Sequence, residues 1–440
     1  MNAPSPQRRT ETLDALRRGT VPSRGLDTLA VRLDRFESTF DEELARVMSG
    51  AGVFKAIRGE YGAGKTFMTR WLAERAKAKG MATAEVQISE TDTPPHRYQT
   101  IYRRLVEQLS TSTVRSGAFK AVIDSWFFAL EDEVLAIDGI DPFDQDAVTA
   151  ATTELMERRL GGVTRSAPAF GAVLRAYLES TNTGDQATAD GLLAWLGGQP
   201  HVSASIKRQA GIKGDVDHDA ALSFLAGLLT ILRDAGYPGL VLVLDEVETM
   251  QRMRSDTRDK GLEALRKFID DLYQGRFPGL YLVITGTPAF FDGAQGVQRL
   301  APLAQRLHTD FSVDQRFDNP RATQIRLSGF DLDALVEVGT LVRDLYASGA
   351  NNPERIMALC DHRYLGQLAQ AVTGELGAKV GIAPRLYIKK LVSDVLDRID
   401  LHPDFDPTLH YQLTVTDTEL TPVERNARAA SDPDEIELEL

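Results

Sequence analysis

Two short runs of the chain are apolar without a polar alternation, Leu240-Val241-Leu242-Val243-Leu244 and Leu280-Tyr281-Leu282-Val283-Ile284, and each follows a Pro-Gly step. Such runs suit central strands of a parallel sheet, buried on both faces. Val53-Phe54-Lys55-Ala56-Ile57 reads as a third buried strand, Ala84-Glu85-Val86-Gln87-Ile88 as another, and Gln324-Ile325-Arg326-Leu327 as a fifth. Between them the apolar spacing changes to three and four. It predicts a lead-in helix within 1–20 carrying Leu13 and Leu16, and a helix over 28–48 carrying Leu29, Leu33, Phe36, Phe40, Leu44 and Val47. Further helices are predicted over 64–79, 257–273, 331–347, 353–378 and 384–399. The stretch 98–235 is mostly helical, with breaks near 138–145, 181–187 and 197–202. The helix at 257–273 joins two apolar strands into a βαβ unit, and no internal repeat is visible. The fold class expected is α/β, a parallel five-stranded sheet flanked by helices, with a long helical insertion and a helical lid.

Composition narrows this picture. At 440 residues the chain suits two or three domains, and 43% hydrophobic with 26% charged residues describes a globular protein. A net charge of −13 argues against binding nucleic acid or anionic membrane through overall charge, though it leaves room for a local basic patch. The single cysteine, Cys360, cannot form an internal disulfide. The N-terminal residues have no signal-peptide core, and no run approaches the roughly 20 apolar residues that span a bilayer. A cytoplasmic protein without a membrane partner is expected.

The chemistry is concentrated in a few places. Gly59-Glu60-Tyr61-Gly62-Ala63-Gly64-Lys65-Thr66, followed by Phe67, matches the P-loop pattern G-x-x-x-x-G-K-[ST] in full, after an apolar strand and before a helix. Glycines let successive backbone N–H groups turn toward phosphate oxygens, and the helix adds the positive end of its dipole. Lys65 is expected to reach the β- and γ-phosphates, and the Thr66 hydroxyl to ligate Mg²⁺. Asp245 and Glu246 end the Leu240–Leu244 strand. Asp245 is assigned to Mg²⁺, directly or through water, and Glu246 to polarising the attacking water. Glu248 reads as a surface or salt-bridge residue. The absence of an N-K-x-D guanine signature favours ATP as the nucleotide.

Other residues invite weaker readings. Thr285, at the end of the next apolar strand, is preferred over Thr287 for positioning the attacking water, with a hydroxyl bonding its own turn as the alternative. Arg385, in Gly381-Ile382-Ala383-Pro384-Arg385, is placed to sense the γ-phosphate; Arg306, or Arg299, to enter a neighbouring subunit's site. For each the competing reading is a solvated surface arginine. Arg97, Arg103 and Arg104 interleave with Tyr98 and Tyr102, which reads as a solvated helix face rather than a nucleic-acid platform. The seven histidines show no metal-ligand spacing, and there is no G-x-S-x-G elbow.

The order P-loop, Asp-Glu strand, Thr-bearing strand and Gly-x-x-Pro-Arg helix resembles the AAA+ ATPases, most closely their Orc1/Cdc6-type initiator and helicase-loader branch. Val21-Pro22-Ser23-Arg24-Gly25-Leu26-Asp27, the P-loop with Phe67, and Asp404-Phe405-Asp406-Pro407 resemble the P-loop ATP-binding proteins of BREX-type phage-defence systems. That resemblance implies an anti-phage role beside a superfamily 2 (Lhr-like) helicase, duplex DNA as a partner, and ATP-dependent self-association into an oligomer. The organisation expected along the chain is a helical lead-in at 1–50, an AAA+ core at 51–330 with the insertion at 98–235, a lid at 331–400 and an acidic, solvated or partner-binding tail at 401–440. The tail is too short for the winged-helix domain usual in such initiators. The insertion is unlike a minimal AAA+ core and is the expected partner or DNA surface.

Overall fold

The computed structural model describes residues 5–136, 140–376, 384–416, 418–421 and 424–425. Five strands form one sheet in the order β2-β3-β4-β1-β5: β1 Val53–Arg58, β2 Ala82–Gln87, β3 Leu240–Asp245, β4 Leu280–Gly286 and β5 Gln324–Arg326. The strands β2, β3 and β4 pair in parallel, with Gln87 in register with Asp245 and Leu244 with Ile284. Every residue of β3 and β4 is buried, which is why their sequences lack alternation.

The chain divides into two compact units. One comprises 40–56 and 75–308. Between β2 and β3 it runs through helices α4 to α11: Tyr98–Gln108, Phe119–Leu135, Gln145–Arg159, Gly161–Ser166, Pro168–Asn182, Gln186–Leu196, Ala204–Gln209 and His218–Asp234. Their inward side chains, such as Trp126, Phe170 and Phe224, share a single core with β2, β3 and β4. Asp144, Asp185, Ser203 and Asp217 cap four of these helices through side-chain oxygens. Helix α12 (Ser255–Tyr273) connects β3 to β4, and α13 (Pro288–Asp292) and α14 (Ala301–Leu307) follow β4. Beneath the strands, the fully buried Lys55 pairs with Glu43 at 2.6 Å, and Glu43 also accepts the Tyr281 hydroxyl. A buried charge pair of this kind is held by its partners, because either group alone would face a large desolvation cost.

The other unit comprises 1–39, 57–74 and 309–440. It carries α1 (Pro6–Arg17), the P-loop, β5 and the helices α15 (Leu332–Ala347), α16 (Pro353–Leu359), α17 (His362–Glu375), α18 (Pro384–Lys390), α19 (Asp397–Leu401) and α20 (Pro407–His410), with a π-helical stretch at Leu391–Leu396 between α18 and α19. Leu13, Leu335, Leu365, Tyr387 and Leu391 lie at its core, against which Phe67 and Phe330 pack.

Several expectations need correction. The helix expected over 28–48 begins only at Asp34, since Leu26–Leu29 forms a separate 3₁₀ turn. The helix expected over 353–378 breaks at Cys360 and Asp361, where Asp361 caps α17 by accepting the Tyr364 N–H. Within the segment expected as an acidic tail, Leu401 to Asp404 are exposed, but Val415, Leu420 and Glu424 are buried, and Phe405, Tyr411 and Leu413 pack on the helical core. Apolar residues spaced among acids carried that burial, and composition averaged over the segment concealed it. The acidic run 432–440 lies outside the described residues.

Candidate active site

The P-loop joins β1 to α3 (Lys65–Ala78). Gly62 and Gly64 take φ of +80° and +90°, backbone that L side chains rarely adopt. At Gly59 a Cβ would lie 3.1 Å from Ala63 Cβ and 3.3 Å from Leu327 Cβ, so the loop closes only around a residue without one. Leu327 is fixed there because its N–H donates to the Arg58 carbonyl at 2.8 Å. The Lys65 ammonium donates to the Gly59 and Glu60 carbonyls at 2.7 and 3.3 Å and lies 5.1 Å from the Tyr61 ring centroid. Ala63 is buried, Thr66 and Phe67 are half-buried, and the first-turn N–H groups of α3 have no intrahelical acceptor by the geometry of any helix start. This donor set, a turn of glycine-dependent backbone plus one lysine and a helix start, fits a polyphosphate.

A second set of residues gathers at the ends of β2, β3 and β4. Asp245 is buried, and Thr285 is fully buried beside it. The Thr285 hydroxyl donates to Asp245 Oδ1 and accepts the Glu246 backbone N–H at 3.0 Å. Its one proton and one of its two acceptor positions are therefore committed to the Asp-Glu pair. Thr287 is buried at the start of α13 and caps nothing through its side chain. Glu246 adopts φ 58°, ψ 46°, one of three positive-φ non-glycine residues among those described. Strained backbone of this kind persists where surrounding contacts over-determine it, and here it turns Glu246 away from the path of β3. The Glu246 carboxylate accepts the Gln87 side-chain N–H at 2.8 Å. Gln87 escaped the sequence reading; its only signal is that it ends β2 in register with Asp245. Glu248 is buried, not on the surface. A buried carboxylate with a hydroxyl partner can hold a divalent cation, and an adjacent, more accessible carboxylate can take a proton from water.

The arginines are engaged elsewhere in their own chain. Arg306 binds Asp270, with Nη2 at 3.0 Å, and Arg299 binds Asp259 and Ser255. Arg385 pairs with the buried Glu424 at 2.5 Å and donates to the Glu419 carbonyl at 2.6 Å. Each would have to leave an ion pair to serve a phosphate, which the sequence does not reveal. Gly381, Ile382 and Ala383 lie outside the described residues. Tyr98 and Tyr102 are core residues, stacked on His218 at 4.6 Å and against Phe224, while Arg103 and Arg104 pair with Glu107. They offer no stacking platform. Among the described residues no group of three metal-ligating side chains gathers, and no helix is long and apolar enough to cross a membrane.

A family model described as the BREX system ATP-binding protein BrxC/D matches residues 5–415. No protein of curated function matches the chain.

Proposed function

Because this chain belongs to the family of BREX system ATP-binding proteins BrxC/D, we propose that it binds and hydrolyses ATP in phage defence, as a cytoplasmic, DNA-associated motor or helicase loader. The observation that carries turnover is Glu246, held in left-handed backbone next to the buried Asp245 by the Thr285 hydroxyl. In this reading Gly59 to Lys65 bind the phosphates, and Lys65 offsets charge that develops on the β- and γ-phosphate oxygens. Thr66 and Asp245 hold Mg²⁺, which supplies neutralising charge to the phosphates when bound. Glu246 orients a water and takes its proton as the water oxygen bonds to the γ-phosphorus and the bond to the β–γ bridging oxygen breaks.

The Gln87–Glu246 hydrogen bond favours a second reading, a nucleotide-dependent switch or scaffold with negligible turnover, acting through protein partners. Steady-state ATP hydrolysis with and without duplex DNA separates the two. The motor or loader requires turnover that DNA stimulates and Glu246→Gln abolishes. The switch requires that Lys65→Ala destroys defence while Glu246→Gln leaves it intact. Self-association on ATP and a superfamily 2 helicase partner belong to the first reading, and sedimentation with a non-hydrolysable ATP analogue tests the oligomer.

A further inference from the structure

Helix α5 buries one face and carries two large apolar side chains on the other. Val122, Ile123, Trp126, Phe127, Leu130 and Val134 fill the core, and Trp126 is fully buried. The opposite side, at Ala121, Ser125, Phe128, Asp132 and Leu135, is exposed at alternating spacings of four and three. Phe128 is 71% exposed and Leu135 41%, seven residues apart and so about 10 Å along one stripe. In the connection to α6, Phe143 is 95% exposed, on a turn in which its N–H donates to Asp141 Oδ1 at 2.9 Å. Large apolar side chains exposed close together and rimmed by charged residues mark an interaction surface.

Charge identifies the cover. No lysine or arginine falls between Lys120 and Arg158, while that stretch holds ten aspartates and glutamates. Three of these meet another side chain of the chain, Asp124 the Tyr177 hydroxyl, Glu133 Arg159 and Glu157 Arg175, while Asp141 and Asp144 accept backbone N–H groups. Asp132, within the stripe between Phe128 and Leu135, is exposed, and Glu131 beside it is half-buried, its carboxyl raised above the usual range by burial. A phosphate backbone would be repelled here. A second copy placed symmetrically would set Asp132 and Glu131 against their own counterparts, like charges in close contact.

We propose that the outer face of α5 docks an amphipathic helix of a protein partner, whose apolar residues cover Phe128 and Leu135 and whose lysines or arginines flank them. The helical segment between β2 and β3 thereby serves a protein partner rather than DNA.

The test uses the full chain and a fluorescent amphipathic leucine–lysine peptide, with a leucine–glutamate peptide as its opposite. Saturable binding of the lysine peptide is expected, weakened about tenfold or more by Phe128→Ser with Leu135→Ser. Leu409→Ser, an equally exposed apolar site on α20, should leave it unchanged. Asp132→Lys should shift preference toward the glutamate peptide. Wild-type-like binding by the double variant, binding of labelled duplex DNA that Phe128→Ser with Leu135→Ser abolishes, or a dimer in light scattering that Phe128→Ser dissolves would each overturn the proposal. Should the double variant fail to fold, hydrogen exchange on the unmodified protein decides: the peptide must protect amides of 119–135, and no protection there refutes the docking.

Discussion

Thr285 and Glu246 are joined by a 3.0 Å hydrogen bond in which the backbone N–H of Glu246 donates to the Thr285 hydroxyl. The same hydroxyl donates to Asp245, so one fully buried side chain fixes both members of the Asp-Glu pair. Thr285→Val keeps the shape and removes both bonds, each worth roughly 1 kcal/mol and more where charge is involved. ATP turnover is expected to fall about 10- to 100-fold while ATP affinity without metal stays near wild type. Thr285→Ser should recover most of the loss. Turnover and equilibrium nucleotide titration, measured side by side, distinguish this positioning role from a general loss of structure.

The Gln87 amide restrains the Glu246 carboxylate from the neighbouring strand end. Removing it with Gln87→Ala should raise basal ATP turnover by about two- to tenfold, the equivalent of one hydrogen bond, and shrink any stimulation by DNA or a partner. A fall in basal rate would instead mean that Gln87 holds Glu246 in its working position.

The P-loop depends on backbone that only glycine adopts cheaply. Gly64→Ala introduces a Cβ at φ +90°, which should cost roughly 1–2 kcal/mol if the loop keeps its shape. Weaker nucleotide binding with a small drop in melting temperature is the expected result, read from a fluorescent ATP titration and a thermal melt.

A pH effect should appear in the C-terminal helical core. Burial alone would raise the Glu419 carboxyl. The hydrogen bond from Lys390, the Thr416 N–H and the charges of Lys390 and Lys389 outweigh it, and the pKa is held down to about 2. A depressed carboxylate stabilises the fold above its unfolded pKa, and that stability is lost as pH falls through the folded one. The contribution should therefore fade between about pH 4.5 and 2. Glu419→Gln should be less stable than wild type at neutral pH and should approach it in melting temperature as pH falls through that window.

The sequence by itself determined the parts whose physics is local. The P-loop is contiguous, because its glycines, lysine and helix start must be adjacent to wrap a phosphate. The strands β3 and β4 are legible because burial on both faces leaves no polar alternation, and Asp245 and Glu246 are legible as the polar end of β3. Only the tertiary structure decided what those residues touch. Gln87 reaches Glu246 across 159 positions and Thr285 reaches its N–H across 39, separations that no spacing rule spans. The same holds for Arg306 and Arg385, whose exposure as single residues gave no hint of Asp270 or Glu424 as partners. The break at Cys360 was readable in principle, since Asp361 before His362-Arg363-Tyr364 is a helix cap; it was masked by apolar periodicity running through both helices. Periodicity and motif report what a residue is and which way its element faces. Ion pairs and hydrogen bonds between remote segments are set by the packing of strands and helices, and they decide whether a charged side chain is available for chemistry or already committed.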